Sequence, residues 1–411
     1  MKKLLCKENV AFAALHWLYC SAHCMIYSFI VVYLTQHGYS DFQVGLLNAL
    51  IAGVSMISQP LYGYLNDTFI SCRSLMIVIA AVAIPVTLCI PLTVSIVPLC
   101  FVAILSLGFL TYTYNCIPEA WQIRVNKKKP YVNYPVTRVM GAVGYSLTGL
   151  VAGKLIDLWG FDVIFWGSAA HLVLLIACCL CIEKIEPENK GIKRGAQIEE
   201  RIGFGGALRI LLKNRPYMVF IISTTLYQAA YRSMLAFMPV IVQDAGGTNT
   251  HVGMLVFAGA AVEAPMMFIF SRLQDKAKLK HLYTFTAIVL AVRTLALLVV
   301  HSVTGLILLK SFEAISWGMY IPLFVVYISR IVPSKIYATS LTIGYSLTVG
   351  VGSICGNFFS GLIMENLGTM AFSAIMSAVA IAGVVVFVVG MAGKNGGTPA
   401  AEKEATAVKI S

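Results

Sequence analysis

The chain is short of charge. Of its 411 residues, 12% are charged, against about 25% in soluble globular proteins. A further 59% are hydrophobic. That balance excludes a soluble globular protein and leaves no room for a sizeable soluble domain. Acid is scarcer than base: 18 Asp and Glu stand against 30 Lys and Arg, a net charge of +12. In a soluble chain such an excess would suggest nucleic acid. Here the basic residues gather in every second loop and at both termini, so they are read as setting topology, and nucleic acid is not an expected partner. There is no Gly-x-x-x-x-Gly-Lys-Ser/Thr phosphate loop, which removes ATP hydrolysis as a source of energy. No signalling domain is evident, which argues against a non-transporting membrane sensor. No small-residue cleavage site follows the basic Met1–Lys7, so the first apolar run is read as a spanning helix and not a signal peptide. Cysteine is plentiful, at 11 residues, but Cys20, Cys24, Cys178, Cys179 and Cys181 lie inside apolar runs. They behave there as small hydrophobes and form no disulfide framework.

What the chain has instead is long apolar runs. Several reach the roughly 20 residues that span a bilayer. Twelve helices are predicted, over 10–35, 42–65, 75–94, 97–125, 132–158, 161–182, 217–242, 252–272, 282–300, 304–330, 337–364 and 370–391. The fold class is an all-α membrane protein with two six-helix halves, 1–182 and 216–393, and a polar cytoplasmic linker, 183–215. Residues 394–411 read as a disordered cytoplasmic tail. Ala207–Lys213 in the linker suggests an interfacial amphipathic helix. Both termini are expected inside, in a multi-pass, monomeric protein of the plasma membrane, with a bacterial cytoplasmic membrane the expected one.

The halves echo each other. Gly144-Tyr-Ser-Leu-Thr148 returns 200 positions later as Gly344-Tyr-Ser-Leu-Thr348, and Val44-Gly-Leu-Leu47 is echoed by Val252-Gly-Met-Leu255. Two echoes in register argue for duplication.

The chemistry concentrates in Pro118–Tyr145. Lys127, Lys128 and Lys129 mark a cytoplasmic loop. Glu119 lies about two turns inside the preceding run, and Arg138 about two turns inside the next. Each charge alone would be costly in hydrocarbon, and a pair lowers the cost. Arg138, Ala142 and Tyr145 follow i, i+4, i+7 spacing and share a face. Gly141 and Gly144 thin the helix beside them. A fork of donors, a small residue and an aromatic ring suit a polyhydroxylated ligand. The other reading is a helix-locking ion pair with no ligand role. His16, Cys20, His23, Cys24 and Tyr27 cluster on the first helix. The set invites a metal, but helix packing and cavity lining are the preferred reading, with His23 and Tyr27 as cavity residues. In the second half Tyr227, Tyr231 and Arg232 sit at helical spacing. Lys310, Glu313, Trp317 and Tyr320 share one face of a later helix. Tyr231 and Trp317 are candidate substrate contacts. Buried Glu263 and Glu313 are the carboxylates able to load and release a proton, with Arg293 the neighbouring cation that would favour their charged form.

The PEA segment, followed about twenty residues on by R-x-x-G-x-x-G-Y, resembles the sugar-binding helices of the lactose permease family of the major facilitator superfamily. That family's acid, arginine and tryptophan positions fall on Glu119, Arg138 and Tyr145, and Ala142 stands where the lactose permease has a cysteine. The resemblance implies parallel half-repeats around a midplane site and proton-coupled sugar symport by alternating access. No bound cofactor is expected; the proton is the coupling ion. Gly63-x-x-x-Asp67, with Arg73 following, resembles the superfamily's signature between helices 2 and 3. The match implies a conformational role in which Gly63 allows close helix approach and Asp67 pairs at a helix end. Further on, Arg293 matches the family's helix 9 arginine. Glu263 lies about a turn later than its helix 8 acid, Glu313 takes the place of its histidine, and Ser316 that of its coupling acid. The proton carrier stays open between Glu313, placed first, then Glu263, then Glu119 or no coupling at all. An importer of small aromatic acids or nucleosides is the rival reading of function.

Overall fold

A computed structural model describes residues 6–132, 134–187, 204–333 and 336–392. The described residues are helical, without strands. Fifteen α-helices occur in chain order: α1 Lys7–Tyr27, α2 Ile30–Gln36, α3 Asp41–Thr68, α4 Cys72–Thr93, α5 Val97–Thr111, α6 Cys116–Lys128, α7 Tyr134–Trp159, α8 Asp162–Cys181, α9 Phe204–Lys213, α10 Arg215–Asp244, α11 Asn249–Leu273, α12 Leu279–Ala296, α13 Val303–Ile331, α14 Tyr337–Tyr345 and α15 Gly352–Ala392. A π-helical stretch, Ser346–Val351, joins the last two. Nine helical segments among the described residues are long and apolar enough to cross a membrane, so the chain is a multi-pass membrane protein. Much of its surface is apolar: Leu92 is 81% exposed and Trp166 66%. That surface belongs against lipid chains, not water.

Local signals explain several boundaries. Ser40 starts α3 by accepting from the Gln43 amide while the Gln43 side chain accepts from Ser40 N–H, a reciprocal cap. Ser71 accepts from the Ser74 amide and starts α4. The apolar runs were continuous in the sequence, yet the backbone breaks some of them. The predicted first helix, 10–35, parts at Ser28–Phe29 into α1 and α2, and the fourth, 97–125, parts at Tyr112–Asn115 into α5 and α6. The repeated Gly-Tyr-Ser-Leu-Thr lies wholly within α7 in its first copy, whereas its second copy ends α14 and enters the π-helical stretch. Residues 337–391 were read as two helices; Gly368, with φ +77°, interrupts α15 at that boundary. Only Gly tolerates that backbone cheaply. The amphipathic Ala207–Lys213 falls within α9. The linker stretch 188–203 and the tail 394–411 lie outside the described residues.

The chain divides into two compact units. The first holds residues 1–193 with 236–261 and 302–307; the second holds 194–235, 262–301 and 308–411. In the first unit α1 is enclosed by α7 and α8, burying Phe12, Leu15 and Tyr19. Gly141 and Gly144 permit this approach. A Cβ on Gly144 would sit 2.9 Å from the Trp17 ring, and one on Gly141 3.0 Å from Cys20 Sγ. In the second unit aromatic side chains dominate the core, with Phe220, Tyr283, Tyr327 and Phe387 packed together.

Candidate functional site

In the first unit, α6 and α7 bring Glu119 and Arg138 together, with Oε1 3.5 Å from Nε. The pair is not sealed: the Arg138 side chain is 40% exposed and that of Glu119 30%. A charge open to hydrocarbon would be expensive. Ala142 and Tyr145 continue the α7 face and are partly accessible. The Tyr145 hydroxyl lies 2.9 Å from Ser28 Oγ, and the His23 ring lies 6.4 Å from the Tyr145 ring and 4.3 Å from that of Tyr27. The Tyr27 hydroxyl bonds Thr111 Oγ1 at 3.0 Å. The structure thus gathers Glu119, Arg138, Ala142, Tyr145, His23 and Tyr27 within one unit, and adds Tyr112, whose ring is 5.1 Å from that of Tyr27.

Behind the pair lies a network the sequence did not suggest. His16, fully buried, donates from Nε2 to Gln122 Oε1 at 2.9 Å, and the Gln122 amide bonds Thr137 Oγ1 at 2.6 Å. Gln122 is one turn from Glu119, and Thr137 precedes Arg138. The network therefore fixes the two helix segments that carry the pair. His16 is engaged in this bonding and also meets the Tyr19 hydroxyl. Spacing could have flagged Gln122, since a buried amide on the Glu119 face needs a partner.

The second unit holds a sealed charge cluster. Arg293 Nη2 lies 2.7 Å from Glu313 Oε2, with side-chain exposures of 0% and 2%. Lys310, one turn before Glu313 on α13, holds the other carboxylate oxygen. Ser316, at the expected acid position, donates to the Thr286 carbonyl and meets the Tyr227 hydroxyl, both at 2.7 Å. Beside the cluster an aromatic stack runs from α10 to α13. The Tyr231 and Trp317 rings are 4.2 Å apart and 8° from parallel. Those of Tyr227 and Tyr320 are 4.5 Å apart and 11° from parallel. Glu263, on α11, is half-buried, and its backbone carbonyl packs against Gly318.

Of the signature residues, Gly63 and Asp67 lie in the last turns of α3 and Arg73 at the start of α4. Asp67 pairs with Arg124 of α6, whose guanidinium also donates to the Asn66 carbonyl at 3.1 Å. Arg73, the expected basic member, instead reaches the Ile182 carbonyl at 3.5 Å. Gly63 allows no close approach here: a Cβ placed on it would meet nothing within 4 Å. Nearby, Lys129 in the basic loop lies 2.9 Å from both Glu8 and Glu183. Its hydrogen bonds to those two carboxylates hold the amine above the ordinary lysine range.

The first unit also contains a seam between α7 and the start of α11. Asp157 accepts four hydrogen bonds. Oδ1 takes the Asn249 backbone and side-chain amides, both at 3.0 Å, and Oδ2 takes the Thr250 amide at 2.8 Å and hydroxyl at 2.6 Å. The carboxylate thereby caps α11. A turn or more below, Gly149, Gly153 and Gly253 let the backbones meet; a Cβ on any of them would fall inside 3.0 Å of its neighbour.

The MFS_1 like family matches residues 10–375. Among curated relatives, the maltose permease of Geobacillus stearothermophilus is 26% identical over 254 residues, 62% of each chain. The uncharacterized transporter YwbF of Bacillus subtilis is 24% identical over 86% of each chain. Among solved structures, the nucleoside transporter NupG superposes with a TM-score of 0.79 at 15% identity, over 94% of this chain and 99% of that one. A D-xylose-proton symporter superposes with a TM-score of 0.67 at 12% identity, over 92% and 96%. These likenesses at low identity establish the fold. The family match, spanning most of the chain, establishes more: this protein belongs to the MFS_1 like family and is a transporter of the major facilitator superfamily with a small-molecule substrate, not an enzyme.

Proposed function

We propose that this protein is a proton-coupled sugar symporter working by alternating access. The carrying observation is the contrast between its two interior ion pairs. Glu119–Arg138 is 30–40% exposed and open to a ligand, whereas Arg293–Glu313 is sealed. An accessible carboxylate and guanidinium flanked by tyrosine rings suit a ring bearing several hydroxyls. The sealed pair suits a coupling role: its geometry is that of an ionised carboxylate held by Arg293 and Lys310, and protonation would release it from both. On this reading Glu313 carries the proton, with Glu263 as the substitute. Asp67, now with Arg124 in place of Arg73, acts on conformation. The maltose permease relative and the xylose-proton neighbour are consistent with a sugar.

We read twelve spanning helices by making three additions to the nine apolar segments: the interruption at Gly368 divides one of them, and α10 and α12 are taken as two more. The latter two fall short in hydropathy because Arg232, Lys280 and Arg293 sit in them. We read 1–182 and 216–393 as the two halves, 183–215 as the cytoplasmic linker, and both termini as cytoplasmic, in a monomer of the plasma membrane. The near-parallel Tyr231–Trp317 stack also fits a nucleobase, which keeps nucleosides as a second reading. Binding tests the pair directly. Arg138→Lys and Glu119→Gln, checked for normal insertion, are expected to abolish binding of whichever labelled sugar the wild type takes, because Lys lacks the planar fork. Full affinity in Arg138→Lys would make the pair structural and remove the main support for a sugar.

A further inference from the structure

Arg232 stands apart from the other interior arginines. Arg138 faces Glu119, Arg124 faces Asp67, and Arg293 faces Glu313. Arg232 forms no ion pair among the described residues. Its guanidinium carbon lies 5.4 Å from the centroid of the Trp317 ring and 5.9 Å from that of Tyr231, within the range where a ring face attracts a cation. Its Nε is buried and makes no hydrogen bond. A guanidinium carries five donors in a rigid fork matched to a carboxylate. Here that fork is held beside a flat aromatic surface and keeps an unspent donor.

The charge of the surrounding elements is uneven in the same sense. In the interior of this unit, α10 to α13 contribute three cations, Arg232, Arg293 and Lys310, against two carboxylates, Glu263 and Glu313. Glu313 is already shared by Arg293 and Lys310. Arg232 is half-buried, and a partly desolvated excess cation is unfavourable unless something anionic compensates it. A neutral ligand would leave the imbalance in place; a monoanion would remove it.

We propose that Arg232 is an anion-recognition residue, and that the transported sugar carries one carboxylate: a sugar acid, its ring lying against the partly accessible Trp317 and its carboxylate accepting from the Arg232 fork. This rests on the sugar reading above and narrows it.

The test compares matched probes on the full-length protein in nanodiscs, by quenching of tryptophan fluorescence: D-galactose with D-galacturonate, and D-glucose with D-glucuronate. Wild type is expected to bind at least one uronate about tenfold or more tightly than its neutral partner, the scale of a charge-assisted hydrogen bond. In Arg232→Gln the ratio should fall close to one. In Arg232→Lys, which keeps the charge and the fold but not the fork, it should be intermediate. The ratio is the readout because a purely structural cation–π contact would change stability without changing charge preference. Equal affinity for uronate and hexose in the wild type, or a preference that persists in Arg232→Gln, would overturn the proposal. Benzoate and benzyl alcohol form a second pair that separates the two levels of inference. If no sugar binds but benzoate binds more tightly than benzyl alcohol, and only while Arg232 is present, the sugar reading fails and the anion role of Arg232 stands. If a nucleoside or neutral sugar binds and neither acid does, the anion role fails.

Discussion

A methyl group added at Gly153 has nowhere to go. Its Cβ would fall well inside 3.0 Å of the Asn249 backbone carbonyl, and Thr250 Cα lies 3.1 Å away. The obstacle is backbone, not the flexible end of a side chain, so α7 and the first turn of α11 must part. Overpacking of this kind costs about 1–3 kcal/mol. The seam is held chiefly by the four hydrogen bonds to Asp157. Two of those donors are backbone amides, those of Asn249 and Thr250, and they report on the opening. Hydrogen exchange measured by mass spectrometry on the peptide around 248–256 should therefore accelerate in Gly153→Ala by about 5- to 150-fold, the ratio equivalent to that energy. Gly253→Ala, which clashes with the Gly149 carbonyl on the same seam, should behave alike. The double variant should cost less than the sum, because the first methyl has already opened the contact. Asp157→Ala should accelerate the same amides without any clash. Unchanged exchange in Gly153→Ala, in a protein of wild-type melting temperature, would show that the seam is not closely packed in the membrane and refute the reasoning.

Two further outcomes follow from the charges. Glu313→Gln fixes the site in the neutral form of the proton carrier. Exchange of substrate across the membrane should survive, and accumulation against a gradient should vanish; accumulation lost only in Glu263→Gln would move the role to α11. Reporter fusions at Lys190 and after Lys403 should give cytoplasmic signals, and an external signal at either would sink the arrangement with both termini inside.

The chemistry of the first unit was legible in the sequence because it sits in one local stretch. Glu119, Arg138, Ala142 and Tyr145 are placed by two helices and the loop between them, so helical spacing was enough. Gly141 and Gly144 were legible for the same reason: small residues on a charged face imply a close neighbour, and the neighbour is α1. Long-range pairings were not legible. Arg124 lies three residues before Lys127 and reads as part of the basic loop, yet its guanidinium turns back to Asp67, 57 positions earlier. His16 and Gln122 are 106 positions apart, and no periodicity links them. Gly63 carried a role only through the resemblance, and the open space around it shows the limit of that transfer. The break at Ser28–Phe29 has no Pro or Gly to announce it, whereas the one at Gly368 does.

The most direct measurement uses purified protein in proteoliposomes with an imposed pH gradient, acid outside, and labelled neutral sugars, uronates and nucleosides. Proton-coupled sugar transport is expected to concentrate at least one neutral sugar or uronate above its external level, and a protonophore should collapse that accumulation to simple equilibration. Uptake of a sugar that only equilibrates, with or without the gradient, would contradict proton coupling. Accumulation confined to nucleosides would contradict the sugar.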